Sequence, residues 1–147
     1  MFIGEYKHSL DNKNRVIIPA KFREALGETF FVTIGFEGSL DVYTQEDWDD
    51  IIQELSSYSR TSRDARLYVR HRTSKATECT LDGQGRIQLP QVLIDSAKID
   101  KKCVVIGAND HIEIWAEERW TQYDSLSDET FEEIAERLSK ETNNGAR

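Results

Sequence analysis

A ten-residue pattern occurs twice in this chain and restricts its fold more than any other feature. Leu10-Asp-Asn-Lys-Asn-Arg-Val-Ile-Ile-Pro19 lies over Leu81-Asp-Gly-Gln-Gly-Arg-Ile-Gln-Leu-Pro90, with Leu10 on Leu81 and Pro19 on Pro90. Leu, Asp, Arg and Pro are identical, Val16/Ile87 and Ile18/Leu89 are conservative, and the chain's only two prolines fall on each other. A second block aligns with the offset longer by one: Ile34-Gly35, Leu40, Val42-Tyr43 and Trp48 over Ile106-Gly107, Ile112, Ile114-Trp115 and Trp120. One inserted residue between the blocks reconciles the offsets. Agreement on this scale implies two copies of one module of about 45 residues. The modules are expected at 5–47, with a helix to about 58, and at 76–119. A basic linker helix at 59–75 joins them, and an acidic amphipathic helix with a frayed tail follows at 120–147.

Each copy carries the same order of local signals. Phe2, Tyr6 and His8 alternate with Glu5, Lys7 and Ser9, the period-two pattern of a half-buried strand. Asp11-Asn-Lys-Asn and Asp82-Gly-Gln-Gly are turn chemistry, because Asn14, Gly83 and Gly85 tolerate positive φ and an Asp carboxylate caps turn amides. Strands follow at 16–18 and 87–89. Pro19 fits the first turn of a short helix that ends near Gly27. Strands at 30–34 and 39–43 form a hairpin across Gly35-Phe-Glu-Gly38, and Cys103–Ile106 with His111–Trp115 repeat it. Thr44 caps a helix on which Trp48, Ile51, Ile52 and Leu55 form one apolar stripe, and Ser127 precedes Phe131, Ile134, Ala135 and Leu138 at the same spacing. In the linker, Ala65, Tyr68 and Val69 share one helical face and Arg63, Arg66 and Arg70 another. Asn143–Arg147 reads as a frayed end.

Charge is segregated along the chain. A net charge of −8 with a pI near 4.9 argues, taken alone, against a nucleic-acid partner, whose phosphates reward positive charge. Yet residues 1–59 net −6, 60–75 net +5, 76–116 net −2 and 117–147 net −5, so the average does not decide the partner. Apolar runs such as Val104-Val105-Ile106 fall far short of the roughly 18 residues a membrane span requires, and no membrane partner is expected. The N-terminus has no signal layout, so no cleavage or export is expected. Cys79 and Cys103 stand apart without a CxxC and read as buried thiols of a reduced cytoplasm.

The paired Asp-x-x-x-Arg loops are the most specific chemical signal. They place Arg15, with Lys13 beside it, on an exposed turn where a guanidinium can grip phosphate or the O6/N7 edge of guanine. The plainer alternative is that each Asp merely caps its turn and pairs with its Arg. Copy one gathers Lys7, Lys13, Arg15, Lys21 and Arg23 in one short stretch, which favours contact there; copy two offers Arg86 with Gln84 and Gln88. The run Arg60, Arg63, Arg66, Arg70, Arg72, Lys75 is either a phosphate-binding face, a solvated helix face, or a dock for acidic surfaces such as Glu46-Asp47. His8, His71 and His111 share no metal-ligand spacing, and neither a catalytic constellation nor a phosphate-loop pattern is present; no cofactor, metal or small-molecule substrate is expected.

Met1-Phe-Ile-Gly-Glu-Tyr, the paired loops, Ile18-Pro-Ala-Lys-Phe-Arg23, Ala76-Thr-Glu-Cys-Thr-Leu-Asp82 and Val104-Val-Ile-Gly107 resemble the bacterial MraZ family. The resemblance covers residues 1 to about 138. It implies an α+β fold: a double swapped-hairpin β-barrel of two tandem AbrB-like modules with pseudo-twofold symmetry, short flanking helices and a C-terminal helix. It implies a cytoplasmic, nucleoid-associated transcriptional regulator, usually an autorepressor, that binds short direct repeats upstream of the division and cell-wall gene cluster. It also implies a ring-shaped homo-oligomer of eight or more subunits. In such proteins the loops face double-stranded DNA, which carries over to Asp11, Lys13, Arg15, Asp82 and Arg86. Two departures stand out. Asn14 replaces a more usual glycine, and Tyr68–Lys75 is charged where relatives are often aromatic and apolar. A rival of another class is a ring-forming adaptor that acts on protein partners through its acidic tail helix, with Glu132, Glu133 and Glu136.

Overall fold

A computed structural model describes residues 1–127 and 130–145, with side chains for 1–125 and 130–142. In chain order the elements are β1 (Glu5–Ser9), β2 (Arg15–Ile17), α1 (Ala20–Leu26), β3 (Phe30–Ile34), a 3-10 turn (Phe36–Gly38), β4 (Leu40–Thr44), α2 (Gln45–Ser57) and α3 (Arg63–Ser74). The second half gives β5 (Thr77–Cys79), β6 (Arg86–Gln88), α4 (Gln91–Ala97), β7 (Lys102–Gly107), β8 (Ile112–Ala116), α5 (Glu117–Ser127) and α6 (Phe131–Gly145). Residues 1–117 form one compact unit and 118–147 a second.

The sheet order is palindromic with respect to the repeat. Six antiparallel strands run β1-β7-β8-β4-β3-β5, so each copy's first strand pairs with the other copy's hairpin. Tyr6 sits opposite Val105, Phe30 opposite Cys79, and at the centre Leu40 and Val42 lie opposite Ile114 and Ile112. β2 and β6 form a separate two-stranded sheet in which Val16 faces Ile87. The strand ends cross over as well: the Ile18 amide donates to the Gly85 carbonyl and the Leu89 amide to that of Asn14, each at 2.9 Å. Neither copy has a complete strand set without the other.

Alternating strand residues from both sheets supply one core. Val16, Ile18, Ile87 and Leu89 join Phe30, Val32, Leu40, Val42, Ile112 and Ile114, all of them essentially solvent-free, and Phe22, Leu26, Leu93 and Ala97 cover the cluster from α1 and α4. Burying an aliphatic or aromatic side chain of this kind stabilises by about 1.5–3 kcal/mol. Gly27, at φ 81°, ends α1, as its position after the periodic residues predicts. Thr44 caps α2 by accepting a hydrogen bond from the Asp47 amide at 3.1 Å.

The structure differs from the sequence-based expectations in four places. The strands do not close into one hydrogen-bonded barrel. β2 and β6 are short and end ahead of Pro19 and Pro90, which have no N–H to extend a ladder, so they form their own sheet over the larger one. Pro19 precedes α1 as its cap residue, with ψ 137°, and is not inside the first turn. Residues 117–127 form a helix, α5, so Ser127 ends that helix before α6 begins; the Ser127 side chain lies outside the described residues. The backbone of the expected frayed end stays helical to Gly145, while 146–147 lie outside the described residues.

Candidate nucleic-acid interface

The two loops share one hydrogen-bond scheme. Asp11 Oδ1 accepts from the Lys13 and Arg15 amides, both at 2.9 Å, and Oδ2 accepts from Arg15 Nε at 2.7 Å. Asp82 Oδ1 accepts from the Gln84 and Arg86 amides at 2.9 Å, and Oδ2 from Arg86 Nε at 2.8 Å. The spacing explains the motif, because a carboxylate four positions before an arginine reaches two turn amides and the guanidinium together. Burial opposes ionisation of Asp11, but the hydrogen bonds from Arg15 and Lys13 outweigh it and hold the carboxyl at about 2. For Asp82 the Arg86 amide bond leads and the shift is again downward. Both carboxylates are therefore fully charged at neutral pH.

Pairing of β2 with β6 sets the loops side by side. Arg86 Nη1 lies 3.7 Å from Asp11 Oδ2, the same oxygen that Arg15 Nε contacts, so the arginines of the two copies converge on one carboxylate. Gln88 Nε2 donates to the Lys13 carbonyl at 3.2 Å, and Asn14 Nδ2 to Gln91 Oε1 at 3.2 Å. Lys13 is exposed at the tip, and both arginines are part-exposed beside it. Asn14 adopts φ 61°, which asparagine tolerates. Gly85 sits at φ 76°, where any side chain is strained, and a Cβ there would displace the Arg23 guanidinium.

The remaining sequence-derived candidates are placed less uniformly. Arg23 is half-buried, donates from Nε to the Ile18 carbonyl at 2.8 Å and packs against Gly85, so it braces the loops from behind. Lys7 on β1 and Lys21 on α1 are exposed, and among the described residues neither is hydrogen-bonded to a loop. Gly83 has no positive φ and a Cβ there would meet open space, so this turn does not need its glycine. Arg72 leaves the basic run altogether. It is buried, with Nη1 3.3 Å from Asp41 Oδ2 and Nη2 3.1 Å from the Tyr43 hydroxyl. Helical periodicity turns position 72 inward, while Arg63 and Arg70 of the same helix face outward.

Sequence reasoning missed a polar cluster on the other side of the fold. His111 is pulled down by burial but raised further by its hydrogen bonds to Glu113 and Asp110 and by the Asp41 charge, which bring it to about 9. Burial raises Asp41 despite the hydrogen bond from Tyr43, and burial likewise pushes the Cys79 and Cys103 thiols up to about 11 and about 12. The available signal for the cluster was the equivalence of Asp41 and Glu113 under the offset of the second repeat block.

Comparison with known proteins agrees with this architecture. The family description "MraZ protein, putative antitoxin-like" matches residues 1–71 and again 73–142. A protein of Ligilactobacillus salivarius named Transcriptional regulator MraZ is 48% identical over 138 residues, covering 94% of this chain and 96% of its own length. Proteins of the same name from Desulforamulus reducens and Limosilactobacillus reuteri are each 46% identical. They cover 94% and 95% of this chain and 97% and 98% of their own lengths. With a two-copy match over nearly its whole length and relatives this similar, the chain belongs to the MraZ family.

Proposed function

We propose that the chain is a sequence-specific transcriptional regulator that grips double-stranded DNA through the paired loops at the β2–β6 seam. The observation that carries this reading is the convergence of Arg15 and Arg86 on Asp11 Oδ2 beside the exposed Lys13. The aspartates fix each turn and aim each guanidinium through its Nε, which leaves terminal N–H groups to meet a phosphate or the O6/N7 edge of guanine. Arg15 is the reading residue, Lys13 positions on phosphate, Arg86 adds a second contact, Lys7 and Lys21 supply flanking positive charge, and Arg23 braces the seam. The relatives' name, Transcriptional regulator MraZ, supports the class.

One seam carries few cations on an acidic protein and would hold DNA weakly. A ring of eight or more subunits presenting seams to successive direct repeats raises avidity by about 10²–10⁴ without a new kind of contact. Its target in this reading is DNA upstream of the division and cell-wall genes, its action repression, and its place the cytoplasm, on the nucleoid. Among the described residues, no helix is long and apolar enough to cross a membrane. The adaptor reading has its own support in α6, where Phe131, Ile134 and Leu138 are exposed at 70%, 37% and 55%.

Titration of the wild-type protein onto duplexes with one repeat and with several separates these readings. The multi-repeat duplex is expected to bind at least about 100-fold more tightly, with affinity falling steeply between about 50 and 200 mM salt, as release of counterions demands. Equal affinity for both duplexes would overturn the multivalent mechanism, and no DNA binding would leave the adaptor.

A further inference from the structure

Asp41 and Glu113 are equivalent positions of the two copies, and they face each other directly across β4 and β8. Like charges placed opposite one another destabilise a sheet unless a cation lies between them. His111 stands beside the pair, with Nε2 2.8 Å from Glu113 Oε2 and 3.7 Å from Asp41 Oδ1. Each of the three side chains has one heteroatom held from outside and one turned inward. Asp41 Oδ2 accepts from the Tyr43 hydroxyl at 2.7 Å and from Arg72 at 3.3 Å. Glu113 Oε1 accepts from Trp115 Nε1 at 3.0 Å, and His111 Nδ1 donates to Asp110 Oδ1 at 2.7 Å. One ligand atom from each of Asp41, His111 and Glu113 lies within 4.8 Å of those of the other two. Asp41 is only 4% exposed, and its Oδ1 has no hydrogen-bond partner.

We propose that Asp41, His111 and Glu113 bind one divalent transition-metal ion, Zn²⁺ by the character of the donors, across the junction of the two copies. One imidazole and two carboxylates suit Zn²⁺. Bonds of about 2.0–2.2 Å put tetrahedral ligand atoms roughly 3.3–3.6 Å apart, so the observed spacings need shifts of only about an ångström. The outer contacts are those a metal site uses: a carboxylate on the far nitrogen of the histidine, and donors on the far oxygen of each carboxylate, fix the inward atoms in place. Charge balances too. The carboxylates of Asp41, Glu113 and Asp110 outnumber Arg72 and a protonated His111 by one, and a divalent ion in place of the Nε2 proton closes the deficit. Gly35 backs the site, since a Cβ there would overlap Asp41 Oδ1. The His111 and Glu113 side chains are 18% and 20% exposed, which leaves an open side for a water as fourth ligand. No local motif announces the set, because Asp41 lies in one copy and His111 with Glu113 in the other, and they meet only through β4–β8 pairing.

Calorimetric titration of the full chain with Zn²⁺, followed by imidazole NMR, tests the site. One saturable equivalent per chain is expected, with the His111 signals shifted and those of His8 and His71 unmoved. His111→Gln and Asp41→Asn should weaken binding by at least about 100-fold, while Asp95→Asn, at an exposed position of α4, should leave it unchanged. The NMR measurement needs no variant and stands even if Asp41→Asn fails to fold. Absence of saturable binding overturns the proposal, and so does saturable binding that leaves the His111 signals in place, because the ion would then sit on other surface carboxylates.

Discussion

Replacing Arg15 with alanine is expected to cost about 1–3 kcal/mol of DNA binding for every seam engaged, or roughly 5- to 150-fold per site. A ring compounds that loss over the seams bound at once, so on a multi-repeat duplex the variant should fall to non-specific affinity. The protein itself should remain folded. Arg15 is part-exposed, its ion pair with Asp11 is of the surface i,i+4 kind that contributes little to stability, and Asp11 still caps the Lys13 and Arg15 amides without the side chain. Fluorescence anisotropy beside a thermal melt separates the two effects. Lys13→Ala should behave differently, weakening all duplexes about equally and reducing the salt slope by about one. A folded Arg15→Ala protein with wild-type affinity would remove Arg15 as the reading residue.

The second large effect is structural. Ile87 has no exposure and faces Val16 across the ladder joining β2 to β6. Ile87→Ala should destabilise the protein by about 2–5 kcal/mol, lowering Tm by roughly 4–20 °C for a chain of this size. Ile17, close to Arg15 on the same short sheet, is 40% exposed and supplies the control. Ile17→Ala should cost no more than about 0.5 kcal/mol, as surface substitutions do. The same truncation on opposite faces of one strand pair thus yields a several-fold difference in cost. Equal Tm changes for the two variants would mean that the β2–β6 sheet does not seal the core.

Local signals in the repeat were enough to place most elements of the sheet and its turns. Period-two alternation located β1, Gly27 the end of α1, Thr44 the start of α2, and the Asp-x-x-x-Arg spacing the two capped turns. These depend on contacts between near neighbours in sequence, which is why they can be read along the chain. What spans the copies could not be read that way. The β2–β6 pairing, the exchange of β1 and β5, and the meeting of Asp41 with Glu113 depend on how one copy docks on the other. Arg72 shows the same limit. In a run of basic residues it looks like one more surface cation, and only its helical phase and the Asp41–Tyr43 pair beneath it reveal a buried partner. In the loops, the residue types were legible, but not the convergence of both arginines on one aspartate.

Two basic surfaces compete for the role of DNA contact: the seam loops and the exposed face of α3. Site-specific photo-cross-linking decides between them most directly. A cross-linker introduced at Asn12 or Gln84, at the exposed loop tips, should form adducts with a multi-repeat duplex, and one introduced at Arg63 on α3 should not. Adducts from position 63 alone, with positions 12 and 84 silent, would contradict the assignment of the paired loops as the reading surface.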